Sequence, residues 1–305
     1  MSPLPNFLVI GAPKAGTSAL YETLRRHPQV FVCPIKEPRF FAFEGRVPTF
    51  GGPKHNDYVK LPTIISLASY LALFQDAQDA KAIGEASTIY SYYPNEKPAE
   101  RIHHYIPDVR LIAILRQPAE RAYSNFLHAV RNRWEPLTDF TQALADEPRR
   151  IHEHWSYFLR YYQNGCYYAR LKPYFERFEL PQIRIYLYEA WNNNPREVLR
   201  DIFRFLEIDD IFVPDMINRH NVSILPRSHA VQAFLKNPHP LKTILKPLLP
   251  QTLRRKIISK MQSLNHAKPS PLDPDLRRQL TEEYRDDILK LQDLIGRDLS
   301  HWLKT

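Results

Sequence analysis

Short apolar runs alternate along the chain with stretches in which hydrophobic residues recur every three or four positions. Residues 7–11 (FLVIG), 109–115 (VRLIAIL) and 182–189 (QIRIYLYE) are runs of the kind that form strands covered on both faces of a parallel sheet. Residues 30–32 and 82–88 read as two shorter strands. Helical spacing predicts a helix over 17–27, with Ala19, Leu20, Thr23 and Leu24 on one face. Further helices are expected at 63–80, 97–106, 119–132 behind Pro118, 137–146, 148–162 and 165–178. Asn194 is placed to cap a helix with Pro195 at its first position and Val198, Leu199, Ile202, Phe203 and Leu206 on its inner face. A closing helix is expected over about 275–296, and the segment 34–60, rich in Pro, Gly and aromatics, reads as a loop. Strands alternating with helices imply an α/β fold in which a parallel β-sheet is flanked by helices on both faces. No internal repeat or low-complexity linker divides 1–305, so a single domain is expected. In such folds ligands gather at the carboxyl ends of strands, where 11–18, 85–88 and 116–124 all fall.

Composition narrows the class. At 44% hydrophobic and 25% charged residues the chain is an ordinary globular protein. No apolar run approaches the roughly 18–20 residues of a membrane span. The opening MSPLPNFLVIGAPK has no basic n-region and no cleavage site, which predicts a protein without a signal peptide, cytoplasmic if the source is bacterial. Cys33 and Cys166, far apart, form neither a disulfide framework nor a zinc site and read as small buried apolar residues. The net charge of +9 is local. Between Asp215 and Asp273 there is no acidic residue, against ten basic ones; the remainder holds 32 basic and 33 acidic residues. That basic segment, about 216–272, predicts a surface facing phosphates, sulfates or another polyanion.

The chemistry begins at 11–18, GAPKAGTS. Set against the phosphate-loop pattern G-x-x-x-x-G-K-[ST], Gly11, Gly16 and Ser18 fit, which makes the sheet P-loop-like, but the lysine stands at 14 and Thr17 takes its place. A glycine turn leading into a helix N-terminus still binds anions through backbone amides and the helix dipole. The displaced lysine argues against a nucleoside triphosphatase. Magnesium coordination also lacks its second carboxylate, because strand 109–115 runs into Arg116.

The motifs PKAGTS with the following HP, and LRQPAERAYSNF over 115–126, resemble the 5′-phosphosulfate and 3′-phosphate motifs of sulfotransferases that use 3′-phosphoadenosine-5′-phosphosulfate (PAPS). KEPRFFAF (36–43) resembles the heparan-sulfate-type segment that carries a catalytic glutamate before an aromatic pair, and GEASTIYSYYP (84–94) the family's next block. NGCYYARLKPYFERF, RIYLYE and GRDLSHWL have the cadence of bacterial members, so the similarity runs almost the whole length. The resemblance implies a sulfotransferase with PAPS as co-substrate and no metal. It implies that Lys14 neutralises charge at the sulfate–phosphate bridge, while Ala15, Gly16, Thr17 and Ser18 hold the 5′-phosphate. Arg116 and Ser124 would take the 3′-phosphate, and Glu37 would be the catalytic base. NVSILPRSHA (221–230) resembles the family's late cofactor loop, which assigns Arg227 and Ser228 to the cofactor and has 216–272 covering that site.

Other residues stay open. Glu85 pairs with a basic site residue or organises the site from behind, and Ala86 stands where heparan-type enzymes carry lysine, which weakens the case for the same polysaccharide acceptor. His27 and His128 read as structural, and His103 and His104 have no metal-ligand partner set. The segment 241–264 is a docked amphipathic stretch with a basic face, or else meets an acidic acceptor or an anionic membrane surface. The acceptor is a hydroxyl or amine of a carbohydrate, lipid or small metabolite. Two alternatives compete: a P-loop kinase using Glu189 as a metal-binding carboxylate, and a non-enzymatic basic module for polyanions. Nucleic acid is not expected, since no recognised motif appears and no aromatics interleave with the basic run.

Overall fold

A computed structural model describes residues 3–53, 62–77, 79–92, 97–212, 225–226, 266–267 and 269–304. Its centre is a five-stranded parallel sheet in the order β2-β3-β1-β4-β5. The strands are β1 (Phe7–Gly11), β2 (Val30–Val32), β3 (Ala82–Ala86), β4 (Arg110–Leu115) and β5 (Ile183–Leu187). β1 is buried at every position and pairs with β3 and β4, Phe7 lying opposite Gly84 and Arg110, and its register against β4 slips between Val9 and Gly11. A strand in mid-sheet with both faces covered needs apolar residues throughout rather than in alternation, which is why FLVIG and RLIAIL form it. Gly84 is required there, because a Cβ would stand 2.4 Å from the Phe7 carbonyl oxygen.

Helices cover the sheet: α1 (Thr17–Leu24), α2 (Phe40–Phe43), α3 (Leu67–Ala72), α4 (Pro98–Tyr105), α5 (Pro118–Arg131), α6 (Phe140–Ala145), α7 (Glu147–His152), α8 (Tyr167–Phe175), α9 (Tyr188–Asn193) and α10 (Pro195–Phe205). A two-residue antiparallel pair, β6 (Leu225–Pro226) with β7 (His266–Ala267), precedes α11 (Pro274–Glu283) and α12 (Arg285–Ile295). α10 buries Val198, Leu199, Ile202 and Phe203 as its spacing requires, with Asn194 at the N-cap and Pro195 in the first turn.

Five expected segments differ. The helix expected over 63–80 is confined to α3, and the strand expected to run to 189 gives way to α9 at Tyr188. The helix expected over 148–162 stops at His152, because His154 has φ 54° and Trp155 leaves the helix to bridge Gly51. The closing helix is two, α11 and α12, joined at Tyr284; this ring is fully buried, stacks on Tyr162 at 4.6 Å and donates its hydroxyl to the Tyr162 carbonyl at 2.8 Å. The loop 34–60 contains α2, whose residues Phe40, Phe41 and Phe43 all enter the core.

Candidate active site

The carboxyl ends of β1, β3 and β4 meet at one edge of the sheet. β1 runs into a turn tied down by Ala12 N–H donating to the Ile114 carbonyl at 2.8 Å, and β3 is tied at the same level by Ser87 N–H to the Val9 carbonyl at 3.1 Å. Lys14 adopts φ 69° and Gly16 φ 94°, so the chain crosses into the left-handed region twice within three residues before α1 begins at Thr17. The two glycines answer to protein neighbours. A Cβ on Gly11 would lie 2.1 Å from Ser91 Oγ, and one on Gly16 would lie 2.9 Å from the Trp191 indole. The Ala15 amide, expected to hold a phosphate, instead donates to the Ala12 carbonyl at 3.3 Å and closes the turn. Gly16, Thr17 and Ser18 remain as the amide donors, in the turn and first helical turn where N–H groups have no intrahelical acceptor.

Around this loop the charge is positive. Lys14 is faced by Arg131, Arg116, Lys36 and Arg121; burial and these four cations push its amine down to about 7. Among the described residues no carboxylate pairs with it. Its Nζ lies 3.1 Å from His128 Nδ1, which also lies 3.0 Å from Arg131 Nη2. His128 was expected to be structural; the fold brings it to the lysine of the loop. Ser124, His128 and Arg131 share one stripe of α5 at i, i+4 and i+7, and that spacing was the available signal. His27 has the other fate: buried against Phe203 and Phe212, it bridges the Asp209 carbonyl and the Gln29 amide.

Arg116 stands at the end of β4 as expected. Its backbone is held on both sides by the Tyr167 hydroxyl, which donates to Arg116 O at 2.8 Å and accepts from Arg116 N at 3.4 Å. Its guanidinium lies 4.8 Å from the Tyr188 ring centroid and 3.5 Å from Glu120, which is shared with Arg277 at 3.3 Å. Tyr188, in the short α9 behind a strand end, was not singled out from the sequence. Ser124 is buried in the second turn of α5.

Glu37 is held in the segment between β2 and α2. Thr88 Oγ1 donates to Glu37 Oε1 at 2.9 Å, and Lys36 Nζ lies 3.6 Å from the same oxygen. The segment after it is pinned by Arg39 N–H to Ser87 Oγ at 3.2 Å and Phe41 N–H to Tyr90 Oη at 3.4 Å. Among the described residues Glu85 pairs with no basic side chain. Fully buried, it accepts from Tyr90 at 2.6 Å and Tyr70 at 3.3 Å, and burial pushes its carboxyl up to about 7. Burial likewise pushes both thiols, Cys33 and Cys166, up to about 12, so neither supplies a thiolate near neutrality. Glu189 lies in the first turn of α9 with a buried Oε2 that has no hydrogen-bond partner among the described residues. No group of three potential metal ligands occurs among the described residues. Arg227, Ser228 and most of 216–272 lie outside the described residues.

The arrangement is a cationic cradle at a strand–turn–helix, with one carboxylate held at its margin by a hydroxyl. It suits transfer of a group carried on a phosphate to an acceptor that must lose a proton.

Comparison with known proteins agrees with that geometry. The family model for the sulfotransferase domain matches residues 4–221. A crystal structure of a sulfotransferase from Alicyclobacillus acidocaldarius is similar with a TM-score of 0.77 and 31% identity, over 99% of this chain and 100% of that one. Human carbohydrate sulfotransferase 15 is 29% identical over 67% of this chain and 44% of its own length. The human bifunctional heparan sulfate N-deacetylase/N-sulfotransferase 3 is 25% identical over 99% of this chain and 31% of its own length. The chain thus spans less than half the length of these two human relatives. Among the described residues, no helix is long and apolar enough to cross a membrane.

Proposed function

The chain belongs to the sulfotransferase domain family, and on that premise we propose that it transfers a sulfuryl group from PAPS to a hydroxyl or amine of an acceptor. The observation that carries this reading is the clustering of Lys14, Lys36, Arg116, Arg121 and Arg131 around a strand-end loop, with no carboxylate paired to Lys14 among the described residues. A site so loaded with cations calls for a polyanionic ligand. The glycine turn fits it too: three loop donors, Gly16, Thr17 and Ser18, stand at the N-terminus of α1, a place for one phosphate.

The roles follow from placement. Gly16, Thr17 and Ser18 hold the 5′-phosphate through amides and the two hydroxyls. Lys14 donates to the oxygen that bridges sulfur and phosphorus, where negative charge grows as that bond breaks. Arg116, its plane fixed by Tyr188 and its backbone by Tyr167, offers a fork to the 3′-phosphate, with Ser124 adding a hydroxyl. Glu37 takes the acceptor proton; Thr88 orients the carboxylate and Lys36 lies beside it. Relatives named for carbohydrate and heparan sulfate favour a saccharide over a lipid or small metabolite as acceptor. Ala86, in place of the lysine of the heparan-type enzymes, points to a different saccharide.

Thermal-shift titration with adenosine 3′,5′-bisphosphate beside ATP and magnesium tests the donor. The bisphosphate is expected to raise the Tm of the wild type. Arg116→Ala is expected to weaken it about 10- to 100-fold, the worth of roughly 1.5–3 kcal/mol for hydrogen bonds to a charged group. Stabilisation by ATP and magnesium alone would overturn the assignment in favour of a kinase. In a labelled-sulfate transfer screen, Glu37→Ala should lower turnover by about 10²-fold or more while leaving bisphosphate binding intact.

A further inference from the structure

Lys14 Nζ and Arg131 Nη2 approach the same atom, His128 Nδ1, at 3.1 and 3.0 Å. A neutral imidazole nitrogen that accepts has one in-plane lone pair, and a protonated one has none. Two cationic donors are therefore aimed at a single acceptor site. The Arg131 guanidinium keeps its proton at any physiological pH, so the donor that can give way is the lysine.

The remaining neighbours push in the same direction. From α5 come Arg121 and Arg131, from the end of β4 Arg116, and from the loop after β2 Lys36. The nearby carboxylates are engaged elsewhere. Glu37 faces Thr88 and Lys36, and Glu120 is shared by Arg116 and Arg277. Glu189, on α9, is the exception: its buried Oε2 has no hydrogen-bond partner among the described residues. We propose that His128 and Arg131 hold Lys14 as a neutral amine before the nucleotide binds, and that Lys14 takes up one proton from solvent as the phosphates arrive.

This rests on the donor reading above. Bringing phosphate charge into the cluster reverses the sign of the local field, and the ammonium form becomes the favoured one. The lysine then carries the proton needed to stabilise the leaving bridge oxygen. Burial and the surrounding cations, which hold the amine down to about 7, agree with the geometry. His128 and Arg131 are positioning residues in this account, since they act through Lys14.

Isothermal titration of the full chain with adenosine 3′,5′-bisphosphate tests this, at about pH 8, in buffers of different ionisation enthalpy. At that pH the phosphate monoester (second pKa about 6) is already fully ionised and contributes no proton of its own. The wild type is expected to take up about half a proton or more per nucleotide, and its affinity to fall as pH rises from about 7 to 9, by up to tenfold per unit. Lys14→Arg should bind with an uptake near zero and a flat pH dependence. Arg131→Gln and His128→Gln relieve the contest for one lone pair, so Lys14 is protonated beforehand and uptake should shrink in each. A purely structural role for these two residues would leave the proton count unchanged. Binding without uptake in the wild type, or uptake in Lys14→Arg equal to the wild type, overturns the proposal alone. No bisphosphate binding at all overturns the donor assignment together with it.

Discussion

Glu85 is enclosed by hydroxyls rather than cations, and its Oε2 finds no hydrogen-bond partner among the described residues. Burial raises its carboxyl from an ordinary 4.5 to about 7, with the nearby Glu37 adding to the rise. Because the folded value lies above the unfolded one, folding favours the protonated form. The stability this contributes is complete below about pH 4.5 and is lost as pH rises through about 7, at roughly 1.4 kcal/mol per unit of displacement. Glu85→Gln keeps the shape and the acceptor oxygen but cannot ionise. Its Tm relative to the wild type should therefore climb between about pH 5 and pH 8; a difference constant across that range would show that Glu85 does not titrate there. Residues of the local turn were readable from sequence: Lys14, Gly16 and Arg116 sit where strand ends demanded. Glu85 was not assigned, because its surroundings are tyrosines 15 positions before it and 5 positions after it. His128 was read as structural, and its contact with Lys14, 114 residues away, lies outside any local window.

At the scale of elements, the loop and α9 are fitted to each other. Gly16 has φ 94° and the Trp191 indole stands where a Cβ would go, whereas Gly296, at the end of α12, has φ 60° and open space around it. Alanine at either position pays the left-handed backbone cost of about 1–2 kcal/mol. Only Gly16→Ala must also displace the indole. We expect Gly296→Ala to lower the denaturant midpoint modestly with bisphosphate affinity unchanged, and Gly16→Ala to lower both. Combining Gly16→Ala with Trp191→Leu should recover part of the affinity, since the two sites share one contact. Equal losses for the two glycines would show that the indole yields freely. The same scale explains where periodicity misled. The pattern over 148–162 is helical, yet Gly51 draws the chain out at Trp155, a contact across roughly a hundred residues that no local window contains. The parallel strands were legible because burial on both faces leaves a continuous apolar run, whereas a break such as Tyr284 preserves the helical period on either side of it.

For the whole molecule, the C-terminal helices do more than close the core. Gln117, the residue after Arg116, caps α5 by accepting from Glu120 N–H at 2.8 Å. Its amide nitrogen donates to Thr281 Oγ1 at 3.1 Å and the Trp302 carbonyl at 3.4 Å. Arg277 reaches Glu120 at 3.3 Å, and Glu120 reaches Arg116. Residues 277–302 therefore brace the turn that presents Arg116, although the family model ends at 221. Trp302 is 1% exposed and packs near Tyr167, the tyrosine that holds the Arg116 backbone. Trp302→Ala is expected to cost about 3–5 kcal/mol in denaturant unfolding, the range for removing a buried aromatic. If the brace is real, the bisphosphate should also bind several-fold more weakly at a temperature well below the variant's Tm, with Lys14-dependent proton uptake preserved. A Trp302→Phe variant should restore most of both. Loss of stability with affinity untouched would make the C-terminal helices a cover for the core and nothing more, and would leave the geometry of Arg116 to Tyr167 and Tyr188 alone.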